Sequence, residues 1–130
     1  MKRYISLPLI LVVMLISFFA CKKENCHHFE TAYVSAVSAP EYGKVLDSIP
    51  VRVALNVENG CGQFGRFDVN VDRYDYIIGV EAEYVCGTCV QKKQVVPACY
   101  YFIPSTSGTY HLKFKSEDDE FITRVIYISY

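Results

Sequence analysis

The chain has 130 residues, with 13 Lys and Arg against 14 Asp and Glu and a net charge of −1. Near-neutrality excludes the basic footprint of a nucleic-acid binder, and the length suits one domain but not two. Tyr and Phe are abundant and Trp is absent; with many β-branched residues, this composition favours strands.

The chain begins with an export signature. Lys2 and Arg3 precede a largely apolar run from Ile5 to Ala20, and the charged Lys22-Lys23-Glu24 follows Cys21. A basic head, an apolar stretch and a small residue at a cleavage point mark a secretory signal over residues 1–20. That segment stands outside the fold, leaving 11 basic and 14 acidic residues and a net charge of −3. The apolar run is about 16 residues long, short of the roughly 20 that span a bilayer, which counts against an uncleaved anchor helix. Ala20-Cys21 resembles the lipobox of bacterial lipoproteins. The resemblance implies cleavage before Cys21, acyl chains such as palmitate on that residue, and a lipid-anchored location at the outer membrane or elsewhere in the cell envelope. An ordinary secretory signal, with Cys21 kept as a free thiol, is the alternative. Residues 21–28 (Cys-Lys-Lys-Glu-Asn-Cys-His-His) read as a lipidated Cys and a short tether.

From residue 29 to residue 130 the pattern has period two, with no amphipathic helix. Seven strands are expected. The first runs from about Phe29 to Val37. The second, Val51 to Glu58, alternates Val51, Val53, Leu55 and Val57 with Arg52, Ala54, Asn56 and Glu58, the mark of a half-buried strand. Asn59-Gly60-Cys61-Gly62 is a turn cluster. The third strand is Gly65 to Val71, Asp72 to Asp75 a charged turn, and the fourth strand Tyr76 to Val85, with Ile78, Val80, Ala82 and Tyr84 on one face. Cys86-Gly87-Thr88-Cys89 opens a loop. The fifth strand, Gln94 to Ile103, contains Pro97, which cannot donate to a ladder and so marks an edge or bulge. The sixth is Thr109 to Lys115; Ser116 to Glu120 is an acidic turn; Phe121 to Ser129 is the last.

Seven short strands in about 100 residues predict an all-β fold, a β-sandwich of immunoglobulin type, with a barrel as the competing architecture. Gly108-Thr109-Tyr110-His111-Leu112 resembles the start of the sixth strand in immunoglobulin-like domains, where a Tyr bonds back to the preceding corner. The antibody disulfide and core Trp have no counterpart here, so the resemblance implies the architecture and not an antibody relative.

Strands that alternate in direction put Cys26, Cys61, Cys86 and Cys89 at one pole, with His27, His28 and the acidic turn. Cys99 lies roughly 17 Å down its strand at about 3.3 Å per residue. The plainest role is stapling: Cys61, Cys86, Cys89 and Cys99 are the disulfide candidates, with Cys61 bridged to Cys86 or Cys89, the other of those two near Cys99, and Cys26 left over. A second reading is a zinc or cuprous site drawn from Cys26, His27, His28, Cys86 and Cys89, since Cys-x-x-Cys sets two thiolates at chelating spacing. A third is thiol redox chemistry, because Cys86-Gly87-Thr88-Cys89 resembles the thioredoxin motif, although no helix pattern follows it.

His111 faces away from Tyr110 and Leu112 and reads as a surface histidine. Glu81 and Glu83 share an outer face, about 7 Å apart, and read as solvated. Tyr42, Tyr74, Tyr100, Tyr101 and Tyr130 form a possible contact set. With no nucleophile signature, the expected role is non-enzymatic and without a cofactor: a binding or structural module held to a membrane by its N-terminal lipid, with an envelope protein or glycan as partner and no nucleic acid. It is similar to the short envelope lipoproteins of Gram-negative bacteria.

Overall fold

The computed structural model describes residues 26–130. The signal peptide expected over residues 1–20, the lipidation site Cys21 and the tether as far as residue 25 lie outside the described residues. Nine strands make up the rest: β1 (His27–Ala32), β2 (Val34–Ser38), β3 (Tyr42–Lys44), β4 (Ile49–Val57), β5 (Gly62–Asp72), β6 (Asp75–Val85), β7 (Gln94–Phe102), β8 (Gly108–Lys115) and β9 (Phe121–Ser129). The all-β expectation holds, and there are nine strands among the described residues where seven were expected.

The strands form two sheets. In the smaller, β4 lies between β2 and β7. In the larger, the path runs β1-β6-β8-β9-β3, with β5 also paired to β6. β5 follows β6 along nearly its whole length, from Gly62↔Tyr84 to Asp72↔Asp75. β8 runs parallel to β6 only over Asp75–Ile78, and β1 pairs with it only over Val80–Val85. A strand has two edges, so β1 and β8 share the second edge of β6 end to end.

The corrections have local causes. The single strand expected over Phe29 to Val37 is two strands in different sheets, because the chain crosses at Tyr33: Ala32 pairs with Val80 of β6, while Val34 pairs with Leu55 of β4. β1 begins at His27, so the tether expected through residue 28 ends earlier; His27 and His28 are already paired with Val85 and Tyr84. β3, only three residues long, pairs in parallel with β9 and has too few positions to show alternation.

Alternation builds the core. Val51, Leu55 and Val57 of β4, Ile78 and Ala82 of β6, Leu112 and Phe114 of β8 and Ile126 of β9 have no exposed surface, so both sheets feed one cluster. Burying each of the larger side chains, Ala82 aside, is worth about 1.5–3 kcal/mol. Pro97 sits on β7, an edge strand, where its missing N–H costs no ladder bond. Tyr110, 2% exposed, donates its hydroxyl to the Thr106 carbonyl at 2.8 Å, as the corner expectation requires. Tyr74 packs edge-on against Tyr110 at 4.9 Å and covers Gly108, whose φ of +150° and lack of a Cβ permit the approach.

Candidate functional site

The four expected pole cysteines do meet at one end. Asn59 sits before Gly60 in the β4–β5 turn, and its Oδ1 accepts from the Cys61 N–H at 2.9 Å. The Gly60 N–H donates to the Val90 carbonyl at 2.8 Å, which draws the β6–β7 loop over the turn. Cys61 and Cys89 are thereby bridged, with Cα atoms 5.3 Å apart. On the neighbouring side the Cys86 N–H donates to the Cys26 carbonyl at 2.8 Å, extending the β1–β6 ladder by one step. That step aligns the second bridge, Cys26–Cys86, with Cα atoms 5.2 Å apart.

One pairing expectation is met and two are corrected. Cys61 joins Cys89, one of the two partners expected for it. Cys26, expected to be left over, is bridged to Cys86, because β1 carries it up to the end of β6. Cys99, expected near Cys86 or Cys89, is the free cysteine among the described residues. It pairs with Arg52 on the side of β7 opposite the inward-facing Tyr100 and Phe102, which puts it on the outer face of its sheet.

The metal and redox readings draw on these same sulfurs. Both need thiolates, and the sulfurs of Cys26, Cys86 and Cys89 are in disulfides. Cys86 and Cys89 take different partners and do not close the Cys-x-x-Cys ring of a dithiol oxidoreductase. His27 Nδ1 lies 3.2 Å from Glu83, and His28 Nε2 lies 3.1 Å from Glu30 while its ring stacks on Tyr84 at 5.4 Å. Among the described residues no three His, Cys, Asp or Glu side chains converge on a metal position.

The bridges border a cleft of about 420 Å³ lined by His28, Glu30, Glu58 and Tyr84 together with Cys61, Cys86 and Cys89. The Tyr84 hydroxyl accepts from the Glu58 N–H at 2.9 Å, and Lys93 faces Glu58 at 3.5 Å. Beside it a second cleft of about 440 Å³ reaches Tyr33, Lys93 and Glu117. The acidic turn closes over this end, with Ser116 N–H donating to Glu120 O at 3.0 Å and the Tyr33 hydroxyl donating to Asp118. That bond to a carboxylate raises the Tyr33 pKa above its ordinary value, since ionisation would set two anions together.

The remaining candidates scatter. Glu81 is paired with Arg66, and Glu83 accepts from Gln63 at 3.2 Å. His111 Nδ1 lies 3.4 Å from Asp75, which Lys113 also approaches at 3.3 Å. Tyr42 and Tyr130 are exposed, Tyr74 covers the Tyr110 corner, and Tyr100 points into the core against Phe67 and Phe114. Burial raises the Tyr100 pKa. Cys99, two positions away on the same face of β7, raises the Tyr101 pKa.

Sequence reasoning missed one feature. The outer face of the β2-β4-β7 sheet carries an apolar groove of about 670 Å³, floored by Ala36, Ala54, Pro97 and Cys99 and bordered by Arg52. The outward positions of β4 and β7 gave the signal, because small and apolar residues stand there where charge would be expected of a solvated face. No family model, curated protein or solved structure matches the chain.

Proposed function

We propose that the protein is an exported lipoprotein, held in the bacterial cell envelope by acyl chains on Cys21, whose domain is a non-enzymatic binding or structural module. The observation that carries this reading is the pair of disulfides at the end where the chain leaves the domain. Bridges of this kind persist in oxidising compartments, which agrees with the export leader read from residues 1–20. Cys26 follows Cys21 by five positions, a reach of at most roughly 17–18 Å, so the bridged pole would lie against the membrane and the rest of the domain would project from it. A binding role is favoured because, among the described residues, His27, His28 and His111 each face a surface carboxylate and none is hydrogen-bonded to a Ser, Thr or Cys side chain.

For the fold, the finer reading is an immunoglobulin-like sandwich. It is supported by the Tyr110 corner and by a split leading strand, β2 antiparallel to β4 and β3 parallel to β9. The parallel β6–β8 pair and the added β1 depart from the usual arrangement of that family. Mass spectrometry of protein extracted from membranes tests the anchor. The expected species begins at Cys21 with acyl chains attached and is lost in Cys21→Ala. A species that keeps Met1, or a Cys21 without acyl chains, overturns the reading.

A further inference from the structure

The two disulfides differ in what they hold and in how they meet solvent. Cys61 and Cys89 are both partly shielded, and their bridge joins two loops. Cys26 and Cys86 are both exposed, and their bridge pins the free end of β1. β1 itself is lightly held. Of its six residues only Ala32 is buried, and its ladder is with β6 alone. Phe29 lies against the Gly65 backbone under the Arg66 guanidinium, 4.9 Å from the ring centre, yet remains 42% exposed. Just past β1 the attachment becomes firm, because Tyr33 is bonded to Asp118 and Val34 is 2% exposed.

We propose that β1 is a detachable strap and that Cys26–Cys86 is its redox lock. A dithiol reductant opens it. One thiolate attacks a sulfur of the bridge, the S–S bond breaks, and the departing cysteine takes up a proton. The second thiol then displaces the mixed disulfide, so two electrons pass to the protein and the reductant leaves as a disulfide. Exposed bridges are the more readily reduced, so this one opens before Cys61–Cys89. The chain then frees as far as Tyr33, and the edge of β6 from Val80 to Val85 loses its partner while β5 continues to hold the other edge. Where Cys21 is lipidated, a consequence that rests on the proposed anchor, the reach from Cys21 to the domain grows from roughly 17 Å to about 40 Å.

Hydrogen exchange on the full chain tests the strap without reference to the anchor. With a dithiol at a concentration that leaves Cys61–Cys89 closed, and separately in Cys26→Ser and Cys86→Ser, the β1 amides are expected to exchange at least about tenfold faster. Amides of β8 and β9 should keep their protection, and Cys61→Ser should leave β1 protected. Unchanged protection of β1 in the opened forms, or an equal loss of protection across β8 and β9, overturns the proposal. So does preferential reduction of Cys61–Cys89.

Discussion

Removing the Cys61–Cys89 bridge as Cys61→Ser/Cys89→Ser tests how these loops are stabilised. The native contacts around it are few: Asn59 accepts from the Cys61 and Gly62 N–H groups, Gly60 donates to Val90, and Val85 donates a long bond to the Cys61 carbonyl. The effect should therefore come mainly from the unfolded chain, which the bridge closes into a loop with a sequence separation of 28. The chain-entropy relation gives roughly 3.5 kcal/mol for such a loop. In urea, at a slope of about 1.5 kcal/mol/M, that lowers the unfolding midpoint by roughly 2 M. The slope itself should rise, because an uncrosslinked denatured chain exposes more surface. Cys26–Cys86 closes a longer loop, with a separation of 60, for which the same relation gives about 4.3 kcal/mol. Detachment of β1 gives the native state back part of that entropy, so the measured loss for Cys26→Ser/Cys86→Ser should fall short of this figure. A midpoint shift under about 0.5 M for the Cys61/Cys89 pair, with an unchanged slope, would refute the unfolded-state account.

Two further outcomes follow from the core. Tyr110→Phe keeps the ring but strips the hydroxyl from the Thr106 carbonyl, which should cost about 1–2 kcal/mol and lower the melting temperature by several degrees in a calorimetric scan; an unchanged melt would mean that the corner bond contributes nothing. Burial raises the Tyr100 and Tyr76 pKa values above the ordinary 10.0, so the folded state retains protons that the unfolded state gives up. Stability should hold below pH 10 and fall as pH rises through the folded values, and a denaturation series should show a shallower alkaline decline in Tyr100→Phe.

Much of the fold was legible because it is local. The last strand, Phe121–Ser129, matches its expected bounds, and the inward faces of β4, β6 and β8 follow from residue alternation. The crossing at Tyr33 was not legible, since Ala32 and Val34 are both buried and continue one alternating pattern while serving different sheets. Placing β6 rather than β5 beside β8 depends on long-range packing that no window of sequence contains. The shared pole of four cysteines followed from counting strands. The role of Cys26 was not legible, because the strand pattern begins at Phe29 while β1 begins at His27 and carries Cys26 to the end of β6. Cys99 could have been excluded by parity, since it is out of phase with Tyr100 and Phe102 on β7.

The position of Cys86 also decides where a mechanical load would go. Tension on the segment before Cys26 does not have to pass through the six residue pairs of β1. The covalent link delivers it to the end of β6, which β5 grips along one edge and β1 and β8 share along the other. A pull in the strand direction then shears several ladders together, and the thinnest part of the sheet is spared while the link stays closed.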